Sequence, residues 1–304
     1  MNKFCHLMYV PFTGLGLYNG YRGKRWLKNR IKIFKHFVVP SLENQTDKDF
    51  VIWVSWRYED LLNNEVIDLE KYLKSKFNKV VFTYSGVCFW DDKYSDVEAR
   101  DRLLKAINGA NGKLANIIGD CDNVIMTIQP SDDVYSINLV EKVKSIFKET
   151  DYNAVSFTCG YVMDYLTLRL AEWNPKTNPP FFSILFKKDI FLNPLSHIEY
   201  TGPYKSHEYV GEKLKLLSIP DRQFIVGTHG ENISTIFNHP FKGTEFPNFQ
   251  EKLDNFGLYD CVPIVINSSI RKKIMRKLPY GWQRKIRYIF GEKFYNKFYE
   301  WIRS

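Results

Sequence analysis

Short apolar runs alternate with longer stretches of helical periodicity through the first half of the chain. Phe4–Val10 reads as a strand, Lys24–Phe37 (KRWLKNRIKIFKHF) as a basic helix, and Phe50–Trp56 (FVIWVSW) as a continuous apolar strand of the kind buried on both faces. A polar helix over Glu59–Phe77 and a strand over Lys79–Tyr84 follow, then an amphipathic helix that starts at a Ser95 cap and ends at Gly109. Val124–Ile128 is the next apolar strand. Strand and helix in strict alternation predict a parallel sheet with crossover helices, which can hold a nucleotide at its strand ends.

Beyond this point the pattern changes. Tyr152–Thr158, Tyr161–Leu170 and Phe181–Phe186 read as strands interrupted by an NPKTNPP loop, so a mixed or antiparallel extension of the sheet is expected. Ser206–Leu217 reads as a helix, and RQFIVGTHGENIST as a strand running into a turn that holds His229. The Phe- and Pro-rich stretch to Pro263 reads as a surface wrap. From Ser268 on, two or three short amphipathic helices are broken at Pro279-Tyr280-Gly281 and Gly291. The organisation predicted is a nucleotide-binding half (1–136), an acceptor-binding half of the same domain (137–266) and a basic helical tail (267–304).

Candidate chemistry centres on Val124–Ser136, VIMTIQPSDDVYS. Asp132 and Asp133 follow an apolar strand, at the carboxyl end where open α/β sheets bind ligands. Two carboxylates on a tight turn suit a hard divalent cation, and such a cation suits a diphosphate. Ser-Asp-Asp is also an ordinary helix cap, with acids favoured in a first turn.

Composition narrows the class. With 304 residues, 44% hydrophobic and 25% charged, the chain is long enough for a full core, and its 16% aromatic content is high. Its five cysteines (Cys5, Cys88, Cys121, Cys159, Cys261) are scattered without a CxxC pair, which predicts reduced thiols in a cytosolic setting and no zinc site. The apolar run at the amino terminus is too short for a signal peptide, and nothing reaches the length of a membrane span. The net charge of +9 is local: residues 267–304 hold 11 Lys and Arg against two Glu, leaving 32 residues of each sign elsewhere.

A resemblance enters at Pro40–Trp56. Arg30 and Phe34 on a helix, then Pro40-Ser41-Leu42, Gln45-Thr46 and the aromatic strand from Phe50, resemble the rhamnosyltransferase-like glycosyltransferases; Gly227–Thr235 (GTHGENIST) is similar to their His-Gly-x-Asn-x-Ser segment. The resemblance implies a GT-A type fold: a Rossmann-like mixed sheet flanked by helices, with a DxD-type motif for Mn2+ or Mg2+ between donor and acceptor halves. Ser131-Asp132-Asp133 falls at that motif, with Pro130 in place of its first acid, so Asp132 would hold the metal with Asp133 or His229 in support. At the end of the second strand, where the family often has an acid, this chain has Ser55-Trp56-Arg57. Tyr9, Phe12 or Trp56 would then stack on the base, although rings of this kind also pack in cores. Arg100, in Ala99-Arg100-Asp101, would face the diphosphate as a fixed cation, with a solvated helix face as the plain reading.

Sugar transfer from such a donor leaves negative charge on a departing nucleoside diphosphate, and an inverting enzyme needs a carboxylate to take the acceptor's proton. Glu208 lies where related enzymes carry that base; it is equally a first-turn acid. His229 suits a cation or a phosphate, and Asn232 and Ser234 offer donors to sugar hydroxyls, though a packed histidine and capping residues are the ordinary roles. Arg57 and Ser131 complete the donor-site candidates. No GxSxG, HExxH or P-loop lysine pattern occurs. The tail, with cations on one side and rings on the other, is read as binding a membrane surface, in preference to nucleic acid. The expected enzyme passes a hexose or deoxyhexose to a glycan or lipid-linked acceptor at the cytoplasmic face. The rivals are a nucleotidyltransferase using Gly14–Lys24 as its phosphate loop, and a non-catalytic protein acting through the tail.

Overall fold

Six of the seven residues of Val51–Arg57 are buried, which requires cover on both faces of the strand. The computed structural model describes residues 3–14, 23–85, 96–193, 207, 210–232 and 235–266, excepting the side chains of residues 96, 99, 100, 102, 103, 106 and 107. Its elements begin β1 (Phe4–Pro11), α1 (Lys24–Ile33), a π turn (Phe34–Val38), α2 (Val39–Glu43), β2 (Val51–Arg57), a 3-10 turn (Tyr58–Asp60), α3 (Asn64–Lys76), β3 (Val80–Ser85), α4 (Asp96–Ile118) and β4 (Asn123–Ile128). Then come β5 (Val134–Tyr135), α5 (Leu139–Glu149), β6 (Ala154–Asp164), β7 (Arg169–Trp173), β8 (Phe182–Lys187), α6 (Lys188–Leu192), α7 (Val210–Lys213), β9 (Leu216–Thr228), β10 (Lys242–Phe246) and α8 (Gln250–Asp254).

The fold is the expected mixed α/β sheet flanked by helices, and it runs without a break across the boundary drawn at residue 136. Its strand order is β10-β7-β6-β8-β4-β1-β2-β3, with β9 joined to β5 and β6. β1 pairs in parallel with both β2 and β4, and β2 with β3. The chain therefore leaves β1 toward β2 and β3, then returns to β1's other side as β4. That reversal is a topological switch point, and the crevice beyond the carboxyl ends of β1 and β4 is where such sheets take ligands.

Several sequence expectations are corrected by packing. The helix expected to stop at Gly109 continues to Ile118, because Ala110, Leu114 and Ile118 keep the buried stripe in phase while Gly109 and Gly112 face open space. It stops before Gly119, whose φ of 55° suits a glycine end. The two strands expected around Gly160 are one, β6: a side chain at Gly160 would strike the Phe224 ring, so the glycine marks close approach and not a break. Of the helix expected over 206–217, the described residues show Val210–Lys213, and its far end is corrected: Leu216 already opens β9, drawn into the sheet beside β6. The stretch to Pro263 includes β10 and α8 and buries Leu253, Phe256 and Leu258. Among the described residues no helix is long and apolar enough to cross a membrane. The basic tail and most of the glycine-rich loop lie outside the described residues.

His6, at the centre of β1, is 1% exposed and hydrogen-bonds Thr127 at 2.8 Å through Nε2. Burial, aided by the charge of Lys144, pushes its pKa from the ordinary 6.5 down to about 3. The unfolded chain therefore takes up a proton that the folded one refuses between these values, and stability should fall as pH drops through that window. Urea midpoints measured from pH 7 to 4 should decline less steeply for His6→Gln; parallel profiles would show that another group sets the slope.

Candidate active site at the acidic turn

The acidic turn is built by its two neighbours in sequence. Gln129 extends the β1–β4 pairing by donating its backbone N–H to the Tyr9 carbonyl at 2.7 Å, and its side chain reaches over the turn to the carbonyls of Pro130 (2.9 Å) and Asp133 (2.8 Å). One residue after Asp133, β5 begins and pairs with β9, matching Val134 to Ile225 and Tyr135 to Phe224. This register sets the acids opposite Gly227–His229, although nearly a hundred residues separate them in sequence. The expectation that the acids lead directly into a helix is corrected accordingly: β5 comes first, and α5 starts at Leu139.

Asp132, Asp133, His229 and Asn232 are thus brought together, and a residue outside the expected set completes the group. The Arg30 guanidinium, on the buried face of α1, makes an ion pair through Nη1 with Asp132 Oδ2. The same oxygen receives His229 Nε2 at 3.0 Å and Asn232 Nδ2 at 3.3 Å. His229 Nδ1 accepts the Glu231 backbone N–H at 3.4 Å, so the ring proton sits on Nε2 and is donated to Asp132. Burial opposes ionisation of Asp132, but the charge of Arg30 and the His229 hydrogen bond outweigh it and hold the carboxyl down at about 2. Asp133 turns the other way, accepting the Gly227 N–H at 2.9 Å. Burial, then the charge of Asp132, raise it well above the usual carboxylate range. Burial lowers the pKa of His229, against the pull of Asp132. The Asp132 and Asp133 carboxyl groups, the His229 imidazole and the Arg30 guanidinium therefore share the corner, with the two acids shifted in opposite directions.

Behind this group lies a second buried layer. Glu231, 2% exposed, accepts Asn29 Nδ2 at 3.1 Å and lies 3.8 Å from Arg25 Nε. Tyr165 donates its hydroxyl to the Asp132 carbonyl at 2.9 Å while its ring stacks on Phe37 at 3.6 Å. Ser41 and Gln45, at the end of the same helical segment, bond the carbonyls of Tyr135 and Ser136 at 2.7 Å each, and Gln45 Oε1 accepts the Val140 N–H at 3.1 Å. Pro40 has no N–H to return to the preceding turn, and the wider π turn before it absorbs the mismatch.

The other expected donor residues fare differently. Tyr9 stacks on Trp53 (centroids 4.0 Å apart), and Phe12 packs against Phe34 and Trp56 with 1% exposure. Trp56 itself is fully buried. These rings are core, which corrects the stacking expectation: their faces are covered by other side chains. Arg57 grips Asp60 through Nε (3.1 Å) and Nη2 (2.8 Å), and Thr13 donates to the same carboxylate at 2.6 Å. Asp60 thus supplies an acid at the end of the second strand, three residues later than the position where Ser55-Trp56-Arg57 offered none. Ser131 is buried within the turn, and Asn232 pins its own turn by accepting the His229 N–H at 2.8 Å and donating to the Gly227 carbonyl at 2.6 Å. Glu208, Ser234 and the Arg100 side chain lie outside the described residues.

The arrangement does not fit Mn2+ or Mg2+ as the sequence reading expected. Among the described residues no three His, Cys, Asp or Glu side chains gather to hold a metal ion. Asp132 Oδ2 is already in contact with a guanidinium, Asp133 faces a backbone N–H, and His229 presents a proton and not a lone pair toward the corner. The signal for Arg30 was present in the sequence: it sits on the same stripe as Trp26 and Phe34, four residues to either side, and an arginine on a buried stripe requires a carboxylate partner.

The class these observations define is a mixed α/β protein with a polar, charge-paired corner at the switch point of its sheet. Residues 21–60 match the family model described as "Putative rhamnosyl transferase", so the resemblance seen at Arg30–Phe50 is met over that segment. No curated protein matches. Solved structures of a fragment (1–349) of TarS from S. aureus are similar at 12% identity, with a TM-score of 0.41 over 73% of this chain and 60% of that one. Its complex with UDP-GlcNAc gives 11% and 0.41. The chain spans about 60% of the length of these fragments, and at such scores no residue role is carried across.

Proposed function

We propose that this chain is a glycosyltransferase of GT-A type that moves a hexose or deoxyhexose from a nucleoside-diphosphate sugar to a glycan or lipid-linked acceptor. One observation carries the reading: the segment matching the rhamnosyl transferase family is the one that builds the corner at the switch point, through Arg30 on Asp132, Ser41 on Tyr135 and Gln45 on Ser136 and Val140. The donor's diphosphate is assigned to the crevice beyond β1 and β4, with the basic first turn of α1 (Lys24 and Arg25, no acid) as its partner, Lys28 being paired with Glu65. Charge growing on the leaving diphosphate would be met there by fixed cations. Glu208 is assigned the role of base in an inverting transfer, on the family resemblance. The basic segment 267–304 is assigned to an anionic membrane surface on the cytoplasmic side.

A titration of nucleoside diphosphates and their sugars tests the reading, followed by a transfer assay with the donor that binds. Binding of at least one nucleoside diphosphate is expected, and Glu208→Gln should keep that binding while slowing transfer about a hundredfold or more. A chain that binds no nucleoside diphosphate is not this enzyme, and unchanged turnover would remove Glu208. With the same preparations, sedimentation with anionic vesicles should be lost when 267–304 is deleted; retention would place the membrane contact elsewhere.

A further inference from the structure

Arg30 is nine-tenths buried, and its contact with Asp132 engages Nη1 while its Nε–H has no acceptor among the described residues. A buried guanidinium donor left without a partner is rare and calls for an explanation. The charge around it supplies one. α1 starts at Gly23 without a side-chain cap and carries Lys24, Arg25 and Lys28 in its first two turns. The dipole at that helix end favours an anion, and Arg30 stands in the last turn of the same helix, about 9 Å further along the axis at 1.5 Å per residue. Asp132, the carboxylate paired with Arg30 among the described residues, is also held by His229 and Asn232. It fixes where the guanidinium stands.

We propose that Arg30, held in place by Asp132, supplies the positive charge for the donor's diphosphate, and that the site binds its nucleotide without a divalent cation. The ligand is a nucleoside diphosphate or its sugar ester. The inference rests on the transferase reading above and adds to it that the acidic turn positions a protein cation instead of a metal. An arginine suits this role because its planar fork keeps donors for phosphate oxygens after one of them has paired with a carboxylate.

The test uses the full chain, treated with chelator, and isothermal titration with UDP, GDP, dTDP and CDP, repeated with excess Mn2+. Mn2+ alone is titrated in parallel and followed by its electron paramagnetic resonance signal. The expected result is nucleotide binding that changes less than about twofold between chelator and Mn2+, with no stoichiometric Mn2+ site. Arg30→Lys should weaken that binding about tenfold or more, since the ammonium keeps the charge but loses the fork. The Arg30→Gln/Asp132→Asn pair removes both charges together and avoids stranding either; folded by circular dichroism, it should show the same loss. Binding that appears only with Mn2+, or a single Mn2+ site that Asp132→Asn abolishes, would overturn the inference and leave the transferase reading intact. Failure of every nucleotide under both conditions would overturn both.

Discussion

Asp132→Ala is expected to destabilise the fold by about 3–5 kcal/mol, the range for removing one partner of a buried ion pair. The Arg30 side chain is 8% exposed and that of Asp132 is 14% exposed, so solvent does little to rescue the stranded guanidinium. The loss extends beyond the pair, because His229 and Asn232 donate to the same oxygen. Urea unfolding measures it. Replacing both charges by apolar residues of similar size, Arg30→Met with Asp132→Leu, should recover the part of the loss that comes from the stranded guanidinium, leaving the cost of the unmet His229 and Asn232 donors. A loss below about 1 kcal/mol for Asp132→Ala would mean that the pair is screened like a surface one. Transfer should be lost in the single and the double variant alike, and that separates the role in stability from the role in the site.

Gly227→Ala is expected to have the second largest effect. The backbone of Gly227 is tied on both sides, donating its N–H to Asp133 and accepting from Asn232. A Cβ there would be driven into the Asp132 carbonyl oxygen and the Tyr165 ring, well inside contact distance. Neither neighbour can yield, because Tyr165 is stacked on Phe37 and hydrogen-bonded to that same carbonyl. Overpacking of this kind costs about 1–3 kcal/mol, or more where the obstacle is backbone. The cost should show in the thermal midpoint together with weaker nucleotide binding. Gly109→Ala is the matched control: nothing lies within 4 Å of its would-be Cβ and it sits inside α4, so a neutral change or a gain of about 0.5–1 kcal/mol is expected. Equal effects at the two positions would contradict the argument from close approach.

The parallel strands were legible because each is a run of apolar residues bounded by polar ones. The helices that carry a stripe of one periodicity were legible for the same reason. What misled was glycine. Gly109 read as an end and Gly160 fell between two expected strands, yet α4 and β6 pass straight through them, since buried contacts on either side outweigh a local preference of about 1 kcal/mol. Rings misled in another way: Tyr9 and Phe12 lie in or next to β1 as expected, but nothing in their spacing tells a ring that faces a ligand from one that faces Trp53 or Phe34. Asp60 was missed because it sits three residues beyond the strand end, in a turn that brings it back to Thr13 and Arg57.

The amino-acid sequence alone determined the parallel half of the sheet, the place of the acidic turn at a strand end, and the presence of an arginine on a buried helical face. Only the tertiary structure decided which groups meet there. The partner of Arg30 depends on how α1 lies across the sheet, and the approach of His229 and Asn232 depends on the pairing of β5 with β9. Periodicity reports which face of an element is buried, because that is a property of neighbouring residues. It carries no record of the residue waiting on the other side, which is set by contacts between segments about a hundred positions apart.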